Sequence, residues 1–143
     1  MKPERIIIHH SLTKDGSTVS WDAIRRWHMG LHPDSPYKMR DIGYHFGIEL
    51  IGNRHEILVG RLPNEPGAHT KGYNKNSLGV CVVGNFDIDP VPREAFALCV
   101  RLVSWLCHNF EISFAHVEGH KMYAQKTCPG LNFDMELLRE SLR

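Results

Sequence analysis

Three consecutive isoleucines, Ile6 to Ile8, bounded by Pro3 and Ser11, constrain this chain more than any other stretch. A strand with one face in water alternates apolar and polar residues. A β-branched run without alternation reads instead as a strand buried on both faces, here Arg5 to His9. Such a strand needs helices over it, and the sequence offers three. Ser20 is a good N-cap for a helix from about Trp21 to Met29, with Trp21, Ile24, Trp27 and Leu31 as its apolar stripe and Gly30 as its stop. Pro90 and Pro92 open the longest helix, about Arg93 to His108, whose stripe is Phe96, Cys99, Val100, Val103, Leu106 and Cys107. Phe133 to Leu142 reads as a last short helix, with Asp134 near its start.

Further strands fall between these helices. Tyr44 to Ile51 alternates, with Tyr44, Phe46, Ile48 and Leu50 on one face and His45, Gly47 and Glu49 on the other. Gly52-Asn53 is a turn signal, so Glu56 to Val59 returns as the partner strand. Leu78 to Val83 is a central strand, and Ile112 to Ala115 is expected as a short one. Residues 11–19, 30–41 and 62–77 read as loops. Strands alternating with helices predict an α/β fold: residues 1–143 form a single domain with a central mixed β-sheet and helices on both faces.

The net charge of +1 gives no field that points to nucleic acid as the main partner. The apolar run at the N-terminus is too short for a signal peptide or a membrane span, so synthesis in the cytoplasm without membrane insertion is expected. Cys99 and Cys107 lie on one helix, about 12 Å apart by its rise, which is too far for a disulfide. With Cys81 they read as small buried residues in a reducing compartment. No C-x-x-C pair is present to suggest a zinc finger. Ten histidines, many for 143 residues, raise the expectation of a metal site, and nothing in the sequence demands more than a monomer.

The stretch that concentrates chemistry is Gly119 to Gly130, which holds His120, Lys126 and Cys128. Imidazole and thiolate are good zinc ligands, and Pro129-Gly130 prevents a helix, so a loop should return these side chains to one point. A catalytic zinc takes three protein ligands and leaves a position open. The third ligand is expected from His9 or His10 at the end of the first strand. These two face opposite ways, and the pattern does not choose between them. His116-Val-Glu-Gly-His120 resembles the helical H-E-x-x-H motif, but its acid is displaced by one position and Gly119 disfavours the helix. Each of these residues taken singly has a bland explanation; their order and spacing together do not.

Four runs then carry a resemblance: I-I-I-H-H-S, D-I-G-Y-H-F, G-A-H-T-K-G-Y-N-K-N-S-L-G-V, and G-H followed by K-T-C-P-G. In that order they resemble the zinc N-acetylmuramoyl-L-alanine amidases, above all the amidase-type lysozymes of tailed phages, whose fold the peptidoglycan recognition proteins share. The resemblance implies one zinc ion held by His9, rather than His10, with His120 and Cys128. It implies Tyr44 and Lys126 as the residues needed for hydrolysis, and His69 and His45 as substrate-binding. It implies peptidoglycan as substrate, cut between N-acetylmuramic acid and L-alanine, and an endolysin reaching the wall through a membrane-permeabilising, holin-type partner. A peptidoglycan-binding module without catalysis is the alternative, opposed by the presence of Cys128. An added role is inhibition of a phage RNA polymerase, as in some phage amidases. Two departures stand out. Lys121 and Met122 follow His120 where many relatives have Arg-Asp, and the Leu78 to Gly84 strand lacks the glutamate of some bacterial relatives.

Overall fold

The isoleucine strand lies inside a five-stranded sheet and is paired on both sides. In the computed structural model, which describes residues 1–13 and 20–143, the elements run β1 (Arg5–His10), α1 (Trp21–His28), β2 (Phe46–Ile51), β3 (Arg54–Val59), β4 (Ser77–Val82), α2 (Arg93–Phe110), β5 (Val117–Gly119) and α3 (Met135–Ser141). Of the loop expected over 11–19, residues 14–19 lie outside the described residues. The sheet order is β3-β2-β4-β1-β5. β1 runs parallel to β4, with His9 opposite Cys81, and parallel to β5, with Ile8 opposite Gly119. β2 is parallel to β4 and antiparallel to β3. The sheet is therefore mixed, as the pattern predicts, and its antiparallel part is the hairpin at one edge.

The period of two assigns the faces. Ile6, Ile8, Phe46, Ile48, Leu78, Val80 and Val82 join the stripes of α2 and α3 in the main core, with Cys99, Val103, Leu106 and Leu138 wholly buried against them. On the opposite face Trp21 and Ile24 of α1 pack with Ile42, Cys81 and Val83. α1 begins where expected: Ser20 Oγ accepts from the Ala23 amide at 3.1 Å, and the buried Glu49 carboxylate accepts from the Trp21 amide at 3.0 Å. The indole lies across Gly47, where any Cβ would overlap the ring. His9 points to this face from the end of β1.

Two expectations require correction. The fifth strand is Val117–Gly119, not Ile112–Ala115. α2 continues to Phe110 and is ended by Glu111 in the left-handed conformation (φ 56°). Ile112 is then buried in the main core, and Phe114–His116 forms a single 3-10 turn. The short strand therefore starts at Val117, whose side chain is fully buried. Secondly, Tyr44 does not share a face with Phe46. β2 starts at Phe46, and the Tyr44 ring stacks 6.2 Å from Trp21 on the α1 side. The chain bends just before it, at Gly43, whose amide donates to His28 Nδ1 and whose carbonyl accepts from Ala68.

The two edges of the sheet differ. β3 exposes Arg54 and Glu56, while β5 is three residues long and lies under α3, where the Arg139 guanidinium donates to the Val117 carbonyl at 3.1 Å. A Gly47→Ala substitution should crowd Trp21 and destabilise the fold by about 1–3 kcal/mol. The check is urea unfolding followed by tryptophan fluorescence, where the midpoint falls with an unchanged slope.

Candidate metal centre

The site forms at the carboxyl ends of two adjacent parallel strands, the usual place for a ligand in an open α/β sheet. β1 delivers His9, and β5 runs directly into His120. The alternation along β1 resolves the choice between its two histidines. His9 points to the α1 face. His10 points to the α2 face, where its ring packs 6.1 Å from Phe86 and its Nδ1 accepts the Phe86 amide at 3.2 Å. His10 still serves the site through its backbone, for its amide donates to Cys128 Sγ at 3.4 Å.

The loop after His120 folds back as its composition predicts. His120–Met122 makes one 3-10 turn, and the Lys121 amide donates to the Cys128 carbonyl at 2.8 Å, closing the loop at its base. Gly130 sits at φ 119°, with Phe86 backbone 2.6 Å from where a Cβ would be, so the turn requires glycine there. The peptide bond between Cys128 and Pro129 is cis. Asp87 clamps the loop from outside: it accepts from the Thr127 hydroxyl at 2.8 Å and from the Leu131 amide at 3.0 Å. These two bonds hold its carboxyl below the usual carboxylate range.

The result brings His9, His120 and Cys128 together, with one donor atom from each lying within 4.8 Å of the others. Cys128 Sγ is 3.8 Å from His9 Nδ1, and the His9 and His120 rings are 4.5 Å apart. The donor chemistry fits a borderline-soft dication such as zinc better than magnesium or calcium. The electrostatics agree. Burial pushes the Cys128 thiol up to about 11 and, with the neighbouring rings, holds His9 well below its ordinary value. Without a cation the three groups are neutral, so metal entry would release the thiol proton.

The remaining residues are placed as follows. The Tyr44 ring lies 5.1 Å from His9, on the side of the sheet where Cys81 packs. Burial raises the phenol well above its ordinary value, so it keeps its proton at neutral pH. Lys126 is exposed, and its charge lowers the proton affinity of both His9 and His120 and eases ionisation of Cys128. His69 Nδ1 lies 2.9 Å from His9 Nε2, and burial holds its ring down to about 3. His45 does not reach the opening. It is fully buried, its Nδ1 accepts the Gly79 amide at 3.0 Å, and its Nε2 donates to the Glu65 carbonyl at 2.7 Å. With both nitrogens engaged it straps β4 to the 60–67 loop, and no polar ring atom remains for substrate. That loop is also held by Arg61, whose buried guanidinium donates to the Ile42 and Pro66 carbonyls. His116 stands exposed on its own 3-10 turn, apart from the cluster, which removes the metalloprotease-like reading of His116 and His120.

Sequence reasoning missed Asp87 and Thr127, which meet across 40 positions with no local pattern. Cys81 is buried in the core on the α1 face, as its sequence reads. The pairing of Cys81 with His9 becomes visible only once β1 and β4 are aligned.

The fold and the donor cluster fit an α/β enzyme with a candidate metal site, and comparisons narrow the class. The sequence profile of the N-acetylmuramoyl-L-alanine amidases matches residues 1–131. The chain is 34% identical over 139 residues to the endolysin of Escherichia phage T7, covering 93% of this chain and 83% of that one. It is 28% identical over 133 residues to peptidoglycan-recognition protein SC1a of Drosophila melanogaster, covering 92% and 70%. Among solved structures it resembles the endolysin amidase LysCS from Clostridium intestinale, with a TM-score of 0.82 at 26% identity over 99% of this chain and 86% of that one. The chain belongs to the N-acetylmuramoyl-L-alanine amidase family.

Asp87→Ala should loosen the segment carrying Cys128 and lower zinc affinity by about tenfold. Its thermal midpoint should stay close to the parent value, because the carboxylate is at the surface. Competition with a chromogenic chelator checks the first and a thermal melt the second.

Proposed function

We propose that this protein is a zinc-dependent endolysin that hydrolyses the amide between N-acetylmuramic acid and L-alanine in peptidoglycan. The observation that carries the reading is the convergence of His9, His120 and Cys128 at one point, with an exposed lysine beside them. His9 Nδ1, a ring nitrogen of His120 and the Cys128 thiolate would hold the ion. When bound, zinc supplies the Lewis acidity that makes water nucleophilic near neutral pH.

The chain's own residues do the rest. The His10 amide stabilises the sulfur as thiolate and keeps it aimed inward. The exposed Lys126 ammonium, near enough to act on His9, His120 and Cys128, would offset negative charge developing on the scissile carbonyl oxygen, a contribution of about 3 kcal/mol for one well-placed donor. Tyr44 packs against His9 with its proton retained, so its hydroxyl can donate a hydrogen bond to the substrate amide. The presence of Cys128 in the cluster favours catalysis over binding alone. No helix among the described residues is long and apolar enough to cross a membrane.

Purified sacculi digested with the protein and analysed by mass spectrometry should yield stems beginning at L-alanine. Cleavage should stop with a chelator and return with zinc; release that is indifferent to the chelator would overturn the metal's role. Cys128→Ser should lose both zinc and activity. Lys126→Ala should retain zinc by elemental analysis while turnover falls about a hundredfold.

A further inference from the structure

We propose that His69 is the positioning residue for His9, and that Ser77 fixes the direction of the hydrogen bonds through which it acts. The inference rests on the reading of His9 as a metal ligand. The chain of contacts is best followed from its far end. The Tyr73 carbonyl can only accept a hydrogen bond. The Ser77 hydroxyl lies 2.6 Å from it and therefore donates its one proton there. Ser77 Oγ is also 3.4 Å from His69 Nε2, and with its proton committed it can only accept. His69 must then carry its proton on Nε2, which leaves Nδ1 as a lone pair. That lone pair lies 2.9 Å from His9 Nε2, so His9 carries its proton there and presents an unprotonated Nδ1 toward Cys128 Sγ, 3.8 Å away.

The opposite polarity fails. A His69 protonated on Nδ1 would aim a lone pair at Ser77, forcing the hydroxyl to turn toward the ring. Two oxygens without a proton between them would then face each other at 2.6 Å. The Thr70 hydroxyl, 2.9 Å from His69 Nδ1 and 3.4 Å from His9 Nε2, can donate to the former or accept from the latter. Neither asks His9 to move its proton. The packing supports the same alignment. Ser77 is fully buried, and the His69 ring lies over Gly79, where a Cβ would stand 2.6 Å from its Cδ2. A ring orienting a metal-bound histidine usually yields to a carboxylate or a backbone carbonyl in that role. Here the support is a neutral imidazole, itself tied to the backbone through a serine.

The test reads tautomers and metal binding. Long-range proton–nitrogen NMR on protein labelled with 15N-histidine, recorded before and after zinc is added, should show His69 and His9 both protonated on Nε2. Either ring protonated on Nδ1 in the metal-free protein would overturn the proposal. His69→Leu should lower zinc affinity by about 10- to 100-fold. His69→Gln, whose side-chain carbonyl can accept the same proton, should recover most of that loss. Equal zinc affinity in the parent protein and a folded His69→Leu variant would also overturn it. Should His69→Leu fail to fold, the NMR of the parent protein still decides. Peptide release enters neither readout, so the tautomers can be wrong in a working amidase, and correct in a protein that cuts nothing.

Discussion

The parallel pairing of β1 between β4 and β5 is the constraint on which the rest depends. It sets three positions close together: His9 at the end of β1, Cys81 opposite it on β4, and the chain leaving β5 at His120. The pairing is possible because Ile6, Ile7 and Ile8 tolerate burial on both faces, and because Gly79 and Gly119 on the flanking strands leave room for His69 and Pro129. A slip of one residue in β1 would exchange His9 with His10 and aim the wrong imidazole at the loop.

The site is assembled from rigid and adaptable parts. His9 is fixed by a strand wholly inside the sheet, whereas Cys128 rides on a loop that only a few contacts secure. The His10 amide, the Lys121–Cys128 backbone bond and the Asp87 clamp each act on that loop from a different direction. Behind them a layer of polar groups is buried but satisfied. His45 uses both ring nitrogens, and Arg61 meets the carbonyls of Ile42 and Pro66. An isolated buried polar group would cost stability, so this layer is tolerable because its partners are backbone atoms already ordered by the loop.

Much of this was legible in the chain. The β1 run, the hairpin turn at Gly52-Asn53, the stripe of α2 and the loop closing on Cys128 are written in neighbouring residues, and each forms where periodicity and turn chemistry place it. The three converging donors were legible too, because two of them share a short loop and the third ends an unmistakable strand. What escaped depends on contacts across long stretches of chain. The bend at Gly43 moves Tyr44 to the other side of the sheet, though its alternation with Phe46 looks unbroken. The Ile112 side chain satisfies the core without forming a strand, which delays β5 to Val117. His45 reads as a site residue by its neighbours in sequence, yet Gly79 and Glu65 claim both its nitrogens. No local pattern announces that Asp87 meets Thr127 or that Ser77 meets His69.

The two margins of the sheet bear on how this protein behaves when it is abundant. An open strand margin invites the same margin of another copy, and pairing of that kind leads to aggregates. The margin formed by β3 carries Arg54 and Glu56 in solvent beside exposed Ile57 and Val59, so a second copy laid against it would have to bring charged groups into register. At the other margin β5 is too short to template a partner, and Arg139 occupies the Val117 carbonyl. Each margin thus carries a feature that hinders edge-to-edge pairing with a second copy.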